Sequence, residues 1–340
     1  MQTRFLRGHG ALLAAGVISL AVCAGCGVVH TRTTLGGTRK LVVAIGGMPS
    51  ALYAPIYEGI ANGDFARGAL SVSVSAPAGG ETVLNALSAG QASVAITSEP
   101  ALLAARAAGS RLVAIGALVQ APLESIISLA SHPITTPRQL LGKTVASTGT
   151  PLAAAALATF LAPAGIASSR LHTIDAGSDV EAPLTQRKAV AIVGGLWNYD
   201  AVALDLSHHQ ASVIRLPSAG VPSFSELVVV VRTGEAHRDG GLLRAFLQSL
   251  TRSEQAVRAN PGATASLLAT VNPRLSRRFE LAVLLASAPA TEPPAGEPFG
   301  YQQPNAWVRF GDWMSAHDLL KGSAQSGYAV TDEFLPGQGE

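Results

Sequence analysis

Gly194-Gly195-Leu196-Trp197-Asn198-Tyr199-Asp200 follows the apolar, β-branched run Ala189 to Val193 and precedes residues able to open a helix. The run has the length and composition of a buried strand, so the heptapeptide reads as a loop at a strand's carboxyl end. In open α/β sheets ligands bind outside such ends, facing helix N-termini with free N–H groups. Paired glycines would let backbone approach a ligand, and Trp197 and Tyr199 offer stacking faces. Asn198 and Asp200 offer donors and acceptors between them. A surface turn carrying two core aromatics would read the same way, so the remainder of the chain has to decide.

Working outward, Thr144 to Ser147 is a strand running into Thr148-Gly149-Thr150-Pro151 and a helix over Ala153 to Ala162. Leu171 to Ile174 is a strand, Ser178 to Thr185 a helix and Val213 to Leu216 a further strand. Earlier, strands over Lys40 to Gly46, Leu70 to Ala76, Ser93 to Ile96 and Leu112 to Val119 alternate with helices over Leu52 to Asn62, Glu81 to Ala89 and Ala101 to Ala108. Gly79-Gly80 reads as the turn ahead of the second of these helices. Ser125 to Ala130 leaves this unit as a strand, Thr136 to Leu141 is a short helix, and Glu226 to Val231 returns the chain. Alternating β and α elements imply an α/β fold with mostly parallel sheets. The segment Ala86 to Glu99 echoes Val180 to Asp200 in kind, with Ser98-Glu99 in the place of Trp197-Asn198, so two lobes follow one logic. Leu242 to Asn260 is a long helix, and the remainder is mostly helical apart from Pro289 to Pro298.

The chain has 340 residues, enough for two cores; 48% are hydrophobic, 14% charged, and the net charge is +2. No basic cluster is dense enough to neutralise phosphates, which argues against nucleic acid. Arg4 and Arg7 precede the apolar run Ala11 to Val22, and Cys23-Ala24-Gly25-Cys26 then resembles a bacterial lipobox. This reads as an export signal over residues 1–25, with Cys26 the lipidated first residue and membrane anchor, and a tether to Arg39. Both cysteines lie in this segment, so the body beyond it carries neither disulfide nor thiolate.

Enzyme signatures fail. Gly142-Lys143-Thr144 ends like a P-loop, but Pro137 stands where its first glycine belongs, and the tripeptide precedes a strand. There is no G-x-S-x-G elbow and no G-x-G-x-x-G, and His208-His209 lack the spaced partners of a zinc site. No cofactor, metal or catalytic residue is expected. The strand ends instead aim at a cleft. Met48 to Tyr53, including Pro49 and Tyr53, come with Ser98 and Glu99 from one lobe; Thr148, Gly149 and Thr150 come with Trp197 to Asp200 from the other. The Thr-Gly-Thr-Pro turn suits an anion or carbonyl, or serves only as a helix cap.

Gly194 to Asp200, Gly220-Val221-Pro222-Ser223-Phe224-Ser225-Glu226-Leu227-Val228, and Phe299 to Pro304 with Trp307 and Asp312-Trp313-Met314 together resemble the thiamine-precursor branch of the periplasmic binding proteins. This is the NMT1/THI5-like family, related to alkanesulfonate binders. The resemblance implies a type II periplasmic binding protein with two Rossmann-like lobes and a two-strand hinge. Lobe 1 would span 40–122, lobe 2 123–222, and 223–340 would complete lobe 1. It implies a monomeric, lipid-anchored extracytoplasmic receptor delivering hydroxymethylpyrimidine or formylaminopyrimidine to an ABC permease and its ATPase, with ligand closing the hinge. Trp197 and Tyr199 would stack on the pyrimidine, Asn198 would bond its edge, and Asp200 would stand where the branch more often has Glu. The first-strand loop departs from the branch, with Met48-Pro49-Ser50 in place of Trp-Pro-Asn. The alternative is an alkanesulfonate or nitrate receptor of the same fold. On this reading Trp197→Ala removes binding with little loss of stability, and Asp200→Asn weakens an aminopyrimidine while sparing a sulfonate.

Overall fold

Two five-stranded mixed sheets carry the chain in the computed structural model, which describes residues 37–77, 82–177 and 179–338. The export signal, Cys26 and nearly all of the tether lie outside the described residues, as do Gly79, Gly80, Glu81 and Ser178. The first sheet is formed by β1 (Arg39–Ile45), β2 (Leu70–Ser75), β3 (Val94–Thr97), β4 (Leu112–Val119) and, later in the chain, β10 (Leu227–Arg232). The second holds β5 (Glu124–Leu129), β6 (Thr144–Ser147), β7 (His172–Asp175), β8 (Ala191–Leu196) and β9 (Ala211–Arg215).

Strand order is β2-β1-β3-β10-β4 in the first sheet and β7-β6-β8-β5-β9 in the second. In each, the strand in the fourth place is antiparallel to both neighbours, and it arrives from the other half: β5 from β4, β10 from β9. The two crossings, Gln120–Leu123 and Leu216–Glu226, are therefore built into the sheets they join. This is the α/β architecture of two lobes on a two-strand hinge that the resemblance implies.

Period-two alternation sorts the first sheet's side chains to two covered faces. Val229 and Val231 of β10 join Leu41, Val43 and Ile45 under the helix Gly240–Ala259 through Phe246 and Leu247. Val228 and Val230 point the other way, toward Leu102, Leu103, Trp307 and Phe310. All eight residues of β4 are buried, as a strand covered on both faces requires. Among the described residues no helix is long and apolar enough to cross a membrane.

Two elements differ from the sequence expectation. The short helix expected over Thr136 to Leu141 is a single 3-10 turn, Pro137–Leu140, opened by a Thr136–Gln139 capping box and a proline and ended at Leu141, whose ψ of 123° leaves the helical region. More consequentially, β8 does not stop at Val193 but runs to Leu196, and the next helix begins at Asp200. The loop shrinks to Trp197–Tyr199. Gly194 and Gly195 belong to the strand: Ser125 pairs with Gly195 and Ile126 with Val193, so Gly194 is the extra residue of a β-bulge, at φ +87°. A Cβ on Gly194 would lie 2.2 Å from Thr148 Oγ1, and one on Gly195 2.9 Å from Ile127 Cδ1. The glycines thus admit protein neighbours, not a ligand as the sequence suggested.

Candidate functional site

Each strand-end segment has a definite place. In the first half, the turn Gly46–Ser50 lies open, with Met48 exposed and Pro49 half-buried, and leads into the helix Ala54–Ala61. Tyr53 is buried at that helix's start, its phenol oxygen beside Gly46. Burial raises the Tyr53 phenol; the Gly46 backbone opposes this, and the Glu226 charge adds to it. Tyr57, one turn on, is also raised, by burial and then by Tyr53.

Ser98 caps the helix Glu99–Ala107, accepting from the Ala101 N–H at 3.3 Å. Glu99 is 1% exposed and grips the returning crossing twice. Its N–H donates to Ser225 O at 3.1 Å, and its Oε2 accepts from the Ser225 N–H at 2.7 Å. Burial pushes this carboxyl up to about 8, against the Ser225 hydrogen bonds. Glu99 also lines a pocket of about 190 Å³ with Gln120, Phe224 and Gln302. It is placed to hold the hinge.

In the second half, Gly149 takes φ +74° and leaves Thr150 to cap the helix Pro151–Leu161 through the Ala153 N–H at 3.0 Å. Gly149 and Thr150 are exposed, whereas Thr148 Oγ1 is buried against Gly194 without a hydrogen-bond partner.

Trp197 sits on the first crossing: its backbone N–H donates to Leu123 O at 3.0 Å and its indole N–H to Pro122 O at 2.9 Å. Arg215 covers the ring, its guanidinium carbon 3.6 Å from the centroid. The side chain is 6% exposed. Substitution of Trp197 therefore costs stability, contrary to the sequence expectation. Asn198 is fully buried, donating to Ser287 Oγ at 2.8 Å, with its Oδ1 unpartnered. Tyr199 meets Phe279 edge-on at 4.7 Å. Asp200 turns back on its own loop, Oδ2 accepting from the Leu196 N–H at 2.6 Å, and burial raises its carboxyl. Beside it, Glu181 is pushed up to about 7, chiefly by burial.

The helix Arg277–Ser287 thus touches both lobes. Ser287 and Phe279 hold the Trp197–Tyr199 turn, while Glu280 Oε2 accepts from the Ala51 N–H at 2.7 Å.

The crossings contribute two carboxyls that the sequence reading did not select as ligand contacts. Glu226 Oε2 accepts from the Leu123 N–H at 2.8 Å, and burial raises its carboxyl. Glu124, whose backbone pairs with Leu196, is pushed up to about 8, by burial first and the Glu226 charge second. Its Oε2 is buried without a partner. Among the described residues neither carboxyl has an ion-pair partner within 4.0 Å. Tyr53, Glu124, Glu226 and Trp197 therefore converge on the crossings. Among the described residues no hydrogen bond joins Pro49, Ser98 or Glu99 to the Trp197–Asp200 turn. The available signal for the two glutamates was their position at the ends of turn-rich crossings.

Residues 51–264, more than half the chain, match the family described as NMT1/THI5 like. The chain belongs to that family. The formylaminopyrimidine-binding protein of Halalkalibacterium halodurans is 27% identical to this NMT1/THI5-like protein over 277 residues, 80% of this chain and 84% of that one. Among solved structures, the periplasmic aliphatic sulphonate binding protein SsuA from Escherichia coli superposes with a TM-score of 0.66 at 17% identity, covering 85% of this chain and 97% of that one. The desulfurization enzyme DSZB reaches a TM-score of 0.60 at 13% identity, covering 87% and 97%. The fold is that of the periplasmic binding proteins, and it houses binders and at least one enzyme.

Proposed function

We propose that this chain is the solute-binding receptor of an ABC importer and that its ligand is an aminopyrimidine of the thiamine-precursor class, hydroxymethylpyrimidine or formylaminopyrimidine. The observation that carries the reading is the Glu124–Glu226 pair on the crossings, with no ion-pair partner within 4.0 Å among the described residues and beside Trp197 and Tyr53. Glu124, raised to about 8, is a donor near neutral pH, and Glu226, which already accepts from the Leu123 N–H, serves as the acceptor. That matches the ring nitrogen and exocyclic amine of an aminopyrimidine. The formylaminopyrimidine-binding relative supports the same class.

In this account ligand enters between the open turns Gly46–Ser50 and Thr148–Thr150, rests on the crossings and draws the lobes together. Lobe 1 is taken as 40–122 completed by 223–340, and lobe 2 as 123–222. The protein acts as a monomer, exported and anchored through lipidated Cys26, and hands ligand to a permease without chemical change. It carries no thiol beyond residue 26 to serve as a nucleophile. An alkanesulfonate is disfavoured because its negative charge would face the carboxyl pair.

Thermal unfolding of residues 27–340 with each ligand at 100-fold over its dissociation constant tests the class. A cognate ligand adds about 2.7 kcal/mol, which raises the midpoint of a chain this size by about 4 °C or more. Pyrimidines should shift it and taurine or hexanesulfonate should not; the reverse pattern overturns the assignment.

A further inference from the structure

A pocket of about 350 Å³ opens in the first half, on the side of the C-terminal helices. Every residue lining it comes from 51–55, 118–119, 254–261 or 284–292, none from the second sheet or the crossings. Its walls are apolar: Leu52, Pro55, Leu118, Val257 and Leu284. Leu285 stands at its edge, 58% exposed.

Two carboxyls line it as well, Glu292 with a 66% exposed side chain and Glu254 buried. Glu254 is 4% exposed, and its Oε1 is occupied, accepting from Thr291 Oγ1 at 2.8 Å with Arg258 Nε at 3.5 Å. Oε2 makes no hydrogen bond among the described residues, yet it is not among the sealed unpartnered atoms. It is the oxygen left for an occupant. Arg258 also lines the pocket, where it is already engaged, donating to Ala288 O at 3.2 Å and facing Glu292 at 3.8 Å. Burial pushes Glu254 up to about 7, the partners Thr291 and Arg258 notwithstanding, so a further cation would relieve a real cost.

We propose that this pocket is a second ligand site, for a small amine with an apolar body: the ammonium head on Glu254 Oε2 and the body along Leu52, Leu118 and Leu284. A pocket of this volume accepts a small ligand, and apolar walls with a few polar groups are the usual form of such a site. A carboxylate or sulfonate of the same body should be refused, because it would bring a second negative charge to Glu254.

The test is calorimetric titration of residues 27–340 with hexylamine and phenethylamine, with hexanol and hexanoate as controls. The amines should bind and hexanoate should not. Glu254→Gln should weaken the amines at least tenfold while leaving hexanol unchanged, and Leu284→Trp, which fills the pocket, should abolish binding of both. Thermal melts check that each variant is folded; should Leu284→Trp not fold, Leu285→Trp at the mouth takes its place. Absence of amine binding to the wild-type chain, equal binding of hexanoate, or undiminished amine binding in Glu254→Gln would overturn the proposal. None of these outcomes depends on what the interlobe cleft binds.

Discussion

Glu124 and Glu226 stand at the ends of the two crossings but should respond differently to the same change. Glu124→Gln keeps a donor where the protonated carboxyl stood, so aminopyrimidine affinity at pH 7 should fall by no more than about threefold, under 1 kcal/mol. Wild-type affinity should decline above pH 8 as Glu124 ionises, and titrations at pH 7 and 9 check both statements. Trp197→Ala removes a buried indole and its bond to Pro122, so it should cost about 3–5 kcal/mol in urea unfolding. Neither glutamate was selected as a contact from the sequence, because an isolated carboxylate in a turn-rich crossing carries no motif. Trp197 was read as an open stacking face because nothing in the loop reveals that Arg215, at the end of another strand, covers the ring. Its place just past a strand's carboxyl end, by contrast, was legible in the apolar run before it.

The bulge in β8 is where element-level reading went furthest astray and where the structure makes its plainest prediction. Gly194→Ala places a methyl 2.2 Å from Thr148 Oγ1 at φ +87°, so overpacking and left-handed strain add, for about 2–4 kcal/mol. Gly149→Ala faces open space at φ +74° and should cost only about 1 kcal/mol. Equal losses for the two in urea melts would contradict the packing account. A glycine pair after an apolar run looks identical whether it ends a strand or bends one. What separates the cases is the partner strand's register, which lies far away in sequence. Helix starts were more legible: Ser98 and Thr150 cap the helices they precede.

For the molecule as a whole, several buried carboxyls titrate in one direction. Glu99 and Glu124 are raised to about 8 and Glu254 to about 7, all chiefly by burial. Between the ordinary glutamate value near 4.3 and these raised values, the folded state holds more protons than the unfolded one. Stability should therefore fall as pH rises from about 5 to 8, then level off. Glu99→Gln, which keeps an acceptor for the Ser225 N–H, should flatten that slope in urea melts across this range. The two-lobed plan was readable because the β-α echo between Ala86–Glu99 and Val180–Asp200 reflects two sheets of matching strand order. The exchange of antiparallel strands between them was not, since it depends on pairings across the whole chain.

The central claim is that a pair of carboxyls on the hinge reads an aminopyrimidine. Calorimetric titration of formylaminopyrimidine and hexanesulfonate into the wild-type chain and Glu226→Gln tests it most directly. The account predicts pyrimidine binding in the wild type, roughly ten- to a hundredfold weaker in the variant, and no sulfonate binding in the wild type. Pyrimidine affinity unchanged by Glu226→Gln, or sulfonate bound by the wild type in its place, would contradict it.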